Sequence, residues 1–105
     1  MSATKLIKPK IFEGPYARKY VEYYDTGTPY IEIVYKEEIG QGTFVAYHPN
    51  GRKKATFKIL DGKSDGNAIH YKDDGSIIAL GKYKEGKRVG QWEFIRDDKL
   101  IKKYF

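Results

Sequence analysis

The sequence has no cysteine, and its 105 residues include only four prolines, two histidines, one methionine and one tryptophan. The absence of cysteine excludes a disulfide framework and any thiolate metal site, and it favours a reducing compartment. No apolar run approaches the roughly 18 residues of a membrane-spanning helix, and the opening MSATKLIKPK lacks the apolar centre of a secretory signal. We therefore expect a cytoplasmic protein.

What the chain does contain is an internal repeat. Tyrosines and two rows of glycines recur at intervals of 24 residues. The tyrosines are Tyr23, Tyr47 and Tyr71, the first glycine row is Gly27, Gly51 and Gly75, and the second is Gly42, Gly66 and Gly90. A period of this size is typical of stacked supersecondary units. We place units at 19–42, 43–66 and 67–90, a basic lead-in at 1–10, and partial units at both ends of a domain spanning 11–105.

Each unit has the pattern of a β-hairpin. Short runs of β-branched and aromatic residues end at the turn clusters DTG, PNG and DDG, and an alternating strand follows each cluster. Both glycine rows are interpreted as turns, because a tight reversal needs a positive φ. Glu38 breaks the second turn of the first unit, so we expect a different turn there. The prediction is an all-β fold, a single antiparallel meander sheet whose last strand covers 100–104.

The alternation also predicts two faces. We assign one face to residues of first strands and of their partner strands: Val21, Tyr23, Val45, Tyr47, Ile69, Tyr71, Ile31, Ile33, Phe57, Ile59, Ala79 and Tyr83. The second face receives aromatic residues among charged ones. Gly81 stands in a row where other units have Ile33 and Phe57, and its missing side chain leaves room for a neighbouring ring. The aromatic residues of the second face fit either two-sided packing or a recognition surface.

Three segments resemble the MORN repeat, in the variant found in bacterial proteins of the YwqK antitoxin family. They are YKDDGSIIALGKYKEGKRVGQWEF, YHPNGRKKATFKILDGKSDG and YYDTGTPYIEIVYKEEIGQG. The common pattern is a tyrosine four residues before a turn glycine, an alternating strand, and then Tyr-Lys-x-Gly-Lys-x-x-Gly with an aromatic residue. The resemblance covers residues 11–105, although Glu38 and Lys99 depart from the pattern. It implies a single-layer meander used for binding rather than chemistry, and an antitoxin role.

The candidate catalytic and metal-binding residues are the two histidines and the aspartates that precede turn glycines. His48 and His70 lie on equivalent strands, which a meander holds roughly 9.5–10 Å apart, too far for zinc bonds of about 2.0–2.1 Å. Asp25, Asp73 and Asp74 precede turn glycines, where aspartate caps the backbone. The chain has no nucleophile elbow, P-loop or HExxH segment. We predict that the protein is not an enzyme and has no metal or cofactor.

The charge offers a different clue. Twenty Lys and Arg residues against fourteen Asp and Glu give a net charge of +6. This balance favours acidic partners such as nucleic acid, anionic lipid or an acidic protein. Alternatively, the lysines protect sheet edges and keep a tyrosine-rich sheet soluble. Acidic residues in every unit dilute any basic stripe, and no amphipathic helix or lipidation motif supports membrane binding.

We predict a protein-binding module that recognises a protein partner through an aromatic and basic face of the sheet. Aromatic residues and arginine are the usual sources of binding energy at interfaces. The predicted contact residues are Tyr20, Tyr24, Phe44, Trp92, Phe94, Arg52, Lys54, Lys82 and Lys84. The alternative is an electrostatic binder of anionic lipid or nucleic acid, and self-association is a further option.

Overall fold

The computed structural model describes residues 18–36 and 39–105, together with the backbone of 10–13. This part of the chain forms one sheet of nine strands that follow each other in sequence order, and every neighbouring pair is antiparallel. The strands are β1 (Lys10–Glu13), β2 (Arg18–Tyr23), β3 (Pro29–Lys36), β4 (Gln41–Tyr47), β5 (Lys53–Leu60), β6 (Lys63–Tyr71), β7 (Ile77–Lys84), β8 (Lys87–Arg96) and β9 (Lys99–Tyr104). The predicted all-β meander is confirmed, including its final strand.

The first row of glycines forms one recurring turn, which we call the long turn and which joins β2 to β3, β4 to β5 and β6 to β7. Gly27, Gly51 and Gly75 have φ values of 91°, 88° and 94°. In each turn the glycine N–H donates to the carbonyl three residues earlier, and the N–H of that earlier residue donates to a carbonyl four residues later. The acceptors for the glycines are Tyr24, His48 and Lys72, at 3.0, 2.9 and 3.0 Å. This recurrence confirms the 24-residue repeat and the prediction that these glycines are turn residues.

The aspartate caps are confirmed at Asp74. Its Oδ1 accepts the backbone N–H of Ser76 at 2.8 Å and the hydroxyl of Ser76 at 2.6 Å. These bonds lower the pKa of Asp74, because they favour its ionised form. Asn50 has the same role one unit earlier, where its Oδ1 accepts the N–H of Arg52 at 2.9 Å.

The second row of glycines does not form turns, and that prediction is wrong. Gly42, Gly66 and Gly90 lie inside β4, β6 and β8. The reversals come earlier, at Asp61-Gly62 and Glu85-Gly86, where both residues of each pair have positive φ. Two residues of this kind form the hairpin turn whose twist matches that of the flanking strands. Gly66 and Gly90 instead stand beside shifts in register, at φ values of 91° and 69°.

The first unit differs at its second turn, as expected. Four residues separate β3 from β4, whereas two separate β5 from β6. The β3–β4 ladder is unbroken, whereas the β5–β6 and β7–β8 ladders contain a register shift that takes up two residues. The period is therefore kept, because the first unit places in its loop the two residues that the others place in a bulge. Glu38, the lead-in 1–9 and Gly14 lie outside the described residues.

The register divides the side chains differently from the sequence prediction. Directly opposite residues share a face, and one such row joins Val21, Glu32, Val45, Thr56, Ile69, Leu80 and Glu93. We call this side the lysine face, because it carries Lys19, Lys36, Lys58, Lys63, Lys82, Lys84, Lys87 and Lys102. The other side, the aromatic face, carries Tyr20, Ile31, Ile33, Phe44, Phe57, Ile59, Ala79, Tyr83, Trp92 and Phe94.

The predicted pairing of first-strand and partner-strand residues on one face is therefore wrong. Val21 and Val45 lie on the lysine face, whereas Ile31, Ile33 and Phe57 lie on the aromatic face. The cause is a shift of one residue beside each long turn, between Glu22 and Tyr23 in the first unit and at equivalent places in the next two. A slip of one residue moves a strand's side chains to the opposite face.

The most deeply buried side chain lies on the aromatic face. Trp92 is 0% exposed and packs on Ala68 and Ala79. Its ring lies over Gly81, where an added Cβ would come within 2.2 Å of the indole. The prediction that Gly81 leaves room for a neighbouring ring is confirmed. The indole Nε1 donates to the carbonyl of Lys82 at 3.0 Å, so the polar atom of this buried ring is also satisfied.

Candidate functional site

The predicted contact residues do not form a single patch. Tyr20, Phe44 and Phe94 are half-buried on the aromatic face, whereas Lys82 and Lys84 are exposed on the lysine face. Arg52 lies in the turn before β5, and Lys54 is the extra residue at the register shift between β4 and β5. Lys82 and Lys84 therefore lie on the opposite side of the sheet from Tyr20, Phe44 and Phe94, so the predicted residues do not share one face.

Two of the predicted aromatic anchors are buried. Tyr24 is 5% exposed and Trp92 is 0% exposed, so neither ring is available to a partner in this structure. The Tyr24 ring contacts Tyr30 edge-on at 5.0 Å, and its hydroxyl donates to the carbonyl of Tyr47 at 2.7 Å. Burial raises the pKa of Tyr24, since it disfavours the phenolate. Both side chains hold the sheet together instead of extending from it.

A continuous row of rings crosses the aromatic face. Phe44 stacks on Phe57 with centroids 4.4 Å apart, and Phe57 meets Tyr83 at 5.8 Å. Tyr83 meets Trp92 edge-on at 5.1 Å, and Trp92 lies 6.1 Å from Phe94. Separations of roughly 4.5–7 Å are those of favourable aromatic pairs. The row thus extends from β4 to β8, and its members other than Trp92 are partly accessible.

Arg88 covers one end of this row, and the sequence reading did not identify it. Its guanidinium lies 5.2 Å from the ring centre of Trp92, 5.8 Å from Phe94 and 5.5 Å from Phe105. A cation over an aromatic ring is attracted by the negative charge of the ring face. Phe105 is held there because its N–H donates to the carbonyl of Gly90 at 2.9 Å. The available signal was the position of Arg88 two residues after Gly86 of the Glu85-Gly86 turn, across from Tyr83.

Successive long turns are joined by side-chain hydrogen bonds. The hydroxyl of Tyr24 bonds to the carbonyl of Tyr47, and Nε2 of His48, one unit later, donates to the carbonyl of Tyr71 at 3.0 Å. Two further bonds join the second turn to the third: the Asn50 amide donates to the Asp73 carbonyl at 2.7 Å, and the Arg52 guanidinium donates to that of Asp74. These bonds fix each turn against the next.

The two histidines have separate surroundings. His48 belongs to this set of turn contacts, whereas His70 lies on the aromatic face with its ring centre 6.2 Å from that of Trp92. Burial lowers the pKa of His70, and the nearby charge of Arg88 lowers it further. Both side chains are half-buried. Among the described residues, no three side chains of the metal-binding types form a cluster.

The described part of the chain contains no helix with the length and hydropathy needed to cross a bilayer.

Comparison with known proteins gives little beyond the fold. No family model matches the sequence, and no curated protein matches it. Among solved structures the chain is similar to the crystal structure of TarM, with a TM-score of 0.54 and 15% sequence identity. The match covers 87% of this chain but only 18% of the TarM chain. At this identity the likeness shows the fold alone, a sheet of this kind within a much longer chain, and the resemblance to the MORN repeat stays a prediction.

Proposed function

We propose that this protein is a non-enzymatic binding module that holds a protein partner on its aromatic face. The observation that supports the proposal is the row of rings from Phe44 to Phe94, whose members other than Trp92 are partly accessible on one face of the sheet. In the described part of the chain, strands pack mainly against their neighbours within the sheet, and no second layer covers this face. Apolar patches of this kind on one side of a protein mark interaction surfaces.

The charges around the row indicate the chemistry of the partner. Arg88, Arg96 and Lys103 lie at the β8–β9 end of the aromatic face, close to Phe94 and Phe105. A partner surface that is apolar at its centre and acidic at its margin would complement this arrangement. An antitoxin role, with a toxin as the partner, is the specific form of the proposal that the sequence resemblance suggests.

The proposal predicts that Phe44→Ala weakens partner binding at least about tenfold, the effect of losing a central aromatic contact. The partner would be captured from an extract with the wild-type chain, identified by mass spectrometry, purified, and titrated by calorimetry. Val45→Ala is the matched control, because Val45 is the next residue and is similarly half-buried on the lysine face. Affinity for the purified partner should change less than about twofold in the control.

The proposal is wrong if Val45→Ala weakens binding as much as Phe44→Ala while both variants keep the melting temperature within a few degrees of each other. A captured protein that does not bind the purified wild-type chain would also count against it.

The lysine face supports a second candidate function, the electrostatic binding of nucleic acid or anionic lipid. Its lysines are exposed along the sheet, and two glutamates, Glu32 and Glu93, interrupt them at the centre. Lys19 lies 3.6 Å from Glu32, so part of the positive charge is neutralised within the sheet. Lysines in this arrangement form a diffuse positive field along the sheet.

This second function predicts steep salt dependence. Affinity for single-stranded DNA or for acidic vesicles should fall at least about tenfold between roughly 50 and 200 mM salt. Binding releases counterions, and their release becomes less favourable as the salt concentration rises. The double variant Lys82→Ala/Lys84→Ala should bind more weakly with a shallower slope, whereas Lys103→Ala on the opposite face should change the slope less. Fluorescence anisotropy and vesicle sedimentation are the measurements, and a lack of binding at 50 mM salt would eliminate this function.

A further inference from the structure

The repeat makes it possible to compare what occupies the space between successive long turns. Tyr24, His48 and Lys72 are equivalent, because the N–H of each bonds to the carbonyl four residues later in the same turn at 2.8 Å. The first two place a ring between their turn and the next unit, and each ring bonds to a backbone carbonyl there. The third position has Lys72, which has no ring and is exposed. The third gap is therefore left open.

The open gap is a groove of about 500 Å³ between the third long turn and the β8–β9 turn. Its floor comes from Ala79, Phe94 and neighbouring aliphatic residues, together with His70, whose buried Nε2 has no hydrogen-bond partner among the described residues. Its walls include Lys72, Arg88 and Arg96, with the carboxylate of Asp97 as the single acidic group among the lining residues. Within the described residues, none of these three cations has a carboxylate within ion-pair distance.

Arg88 and Arg96 also border an adjoining groove. This second groove has a volume of about 350 Å³, and its lining adds Lys103 and Phe105 to Arg88, Phe94 and Arg96. The contacts of Arg88 with three rings limit the motion of its guanidinium, so its donors are directed before any ligand arrives. Donors that are already oriented lose less entropy when a ligand binds.

We propose that the groove beside Lys72 is a binding site for a small organic oxyanion, a carboxylate or phosphate monoester carried on an aromatic ring. The arginine forks match the two oxygens of such a group, and charge-assisted bonds of this kind are stronger than neutral ones. The ring of the ligand would lie on Phe94 and Ala79, where it removes apolar surface from water. This site shares Phe94, Arg88 and Arg96 with the β8 end of the ring row, but it lies away from the centre of the row around Phe44, and its ligand is a small molecule.

The experiment is an NMR titration of the ¹⁵N-labelled chain with benzoate and with phenyl phosphate, which separate carboxylate from phosphate recognition. Benzyl alcohol and benzylamine serve as the neutral and cationic probes of similar size. For ligands this small, the dissociation constant is expected to be on the order of 1 mM. When at least one of the anions is added, the largest chemical-shift changes should occur at the amides of Lys72, Ala79, Phe94 and Arg96. Both control probes should bind at least about tenfold more weakly than that anion.

Two variants test the groove itself. Arg96→Gln should weaken binding of the anion at least about tenfold. Lys58→Gln, on the lysine face, should leave the affinity for the anion unchanged. Lys72→Tyr restores the ring present at Tyr24, and it should fill the gap, abolish the shifts and keep or raise the melting temperature. Loss of binding in this variant therefore cannot be attributed to unfolding.

The inference is overturned if neither anion shifts these amides, if benzyl alcohol binds as well as the anions, or if folded Lys72→Tyr binds them unchanged. These outcomes leave the proposal for the aromatic face untouched, because that proposal is tested at Phe44 with a protein ligand.

Discussion

Trp92→Ala is expected to lower the free energy of unfolding by about 3–5 kcal/mol, the usual cost of truncating a large buried aromatic residue. The indole is fully buried, and it contacts Tyr83, Phe94, Phe105 and the guanidinium of Arg88. A domain of this size has a total stability of roughly 5–15 kcal/mol. The substitution should therefore remove a large part of that stability, or leave the chain unfolded at 37 °C.

Urea denaturation followed by circular dichroism measures the effect. Tyr104→Ala is the control, because Tyr104 is 74% exposed, and its loss should change the free energy of unfolding by less than about 0.5 kcal/mol. Trp92→Phe should fall between the two, since it keeps a ring but leaves the carbonyl of Lys82 without the indole donor. A Trp92→Ala chain as stable as the wild type would contradict the burial described here.

Gly81→Val is expected to destabilise the protein by about 2–3 kcal/mol, because overfilling a packed site forces side chains and backbone to move. The position lies in the middle of β7, where valine would ordinarily be the more favourable residue by up to about 1 kcal/mol. Strand propensity alone therefore predicts a more stable variant, whereas the clash with the indole predicts a less stable one. A Cβ at this position would meet three atoms of the indole at 2.2–2.5 Å.

The origin of the effect can be checked in a second background. In Trp92→Leu the space above Gly81 is larger, so adding Gly81→Val should cost at least about 1 kcal/mol less than it does in the wild type. Equal costs in the two backgrounds would show that the indole is not what excludes a side chain at residue 81.

The repeat and its hairpins could be read from the sequence because their causes are local. A turn such as that at Gly75 needs a positive φ and a nearby side-chain cap, and both are visible in the residues DDGS. The room above Gly81 was also visible, because other units have large residues at the same place. These features need only the neighbouring residues, or the equivalent residues of another unit.

The assignment of side chains to the two faces of the sheet could not be predicted from the sequence in the same way. It depends on a one-residue shift beside each long turn, as at Ala46 and Tyr47, and the alternation within a single strand does not reveal such a shift. The burial of Trp92 similarly depends on Ala68 of β6, Tyr83 of β7 and Phe105 after β9, which reach the indole from other parts of the chain. The aromatic row was therefore distributed between two predicted faces, although the structure unites it.

The first unit has in its loop the two residues that the other units have in a bulge, and this has a consequence for how such chains evolve. Units with different second turns keep the same length, so tandem duplication or deletion in the gene can add or remove a whole unit without altering its neighbours' alignment. Each event would widen or narrow the sheet by two strands, about 9.6 Å. The breadth of the surface presented to other molecules can thus evolve in fixed increments while the edge strands stay the same.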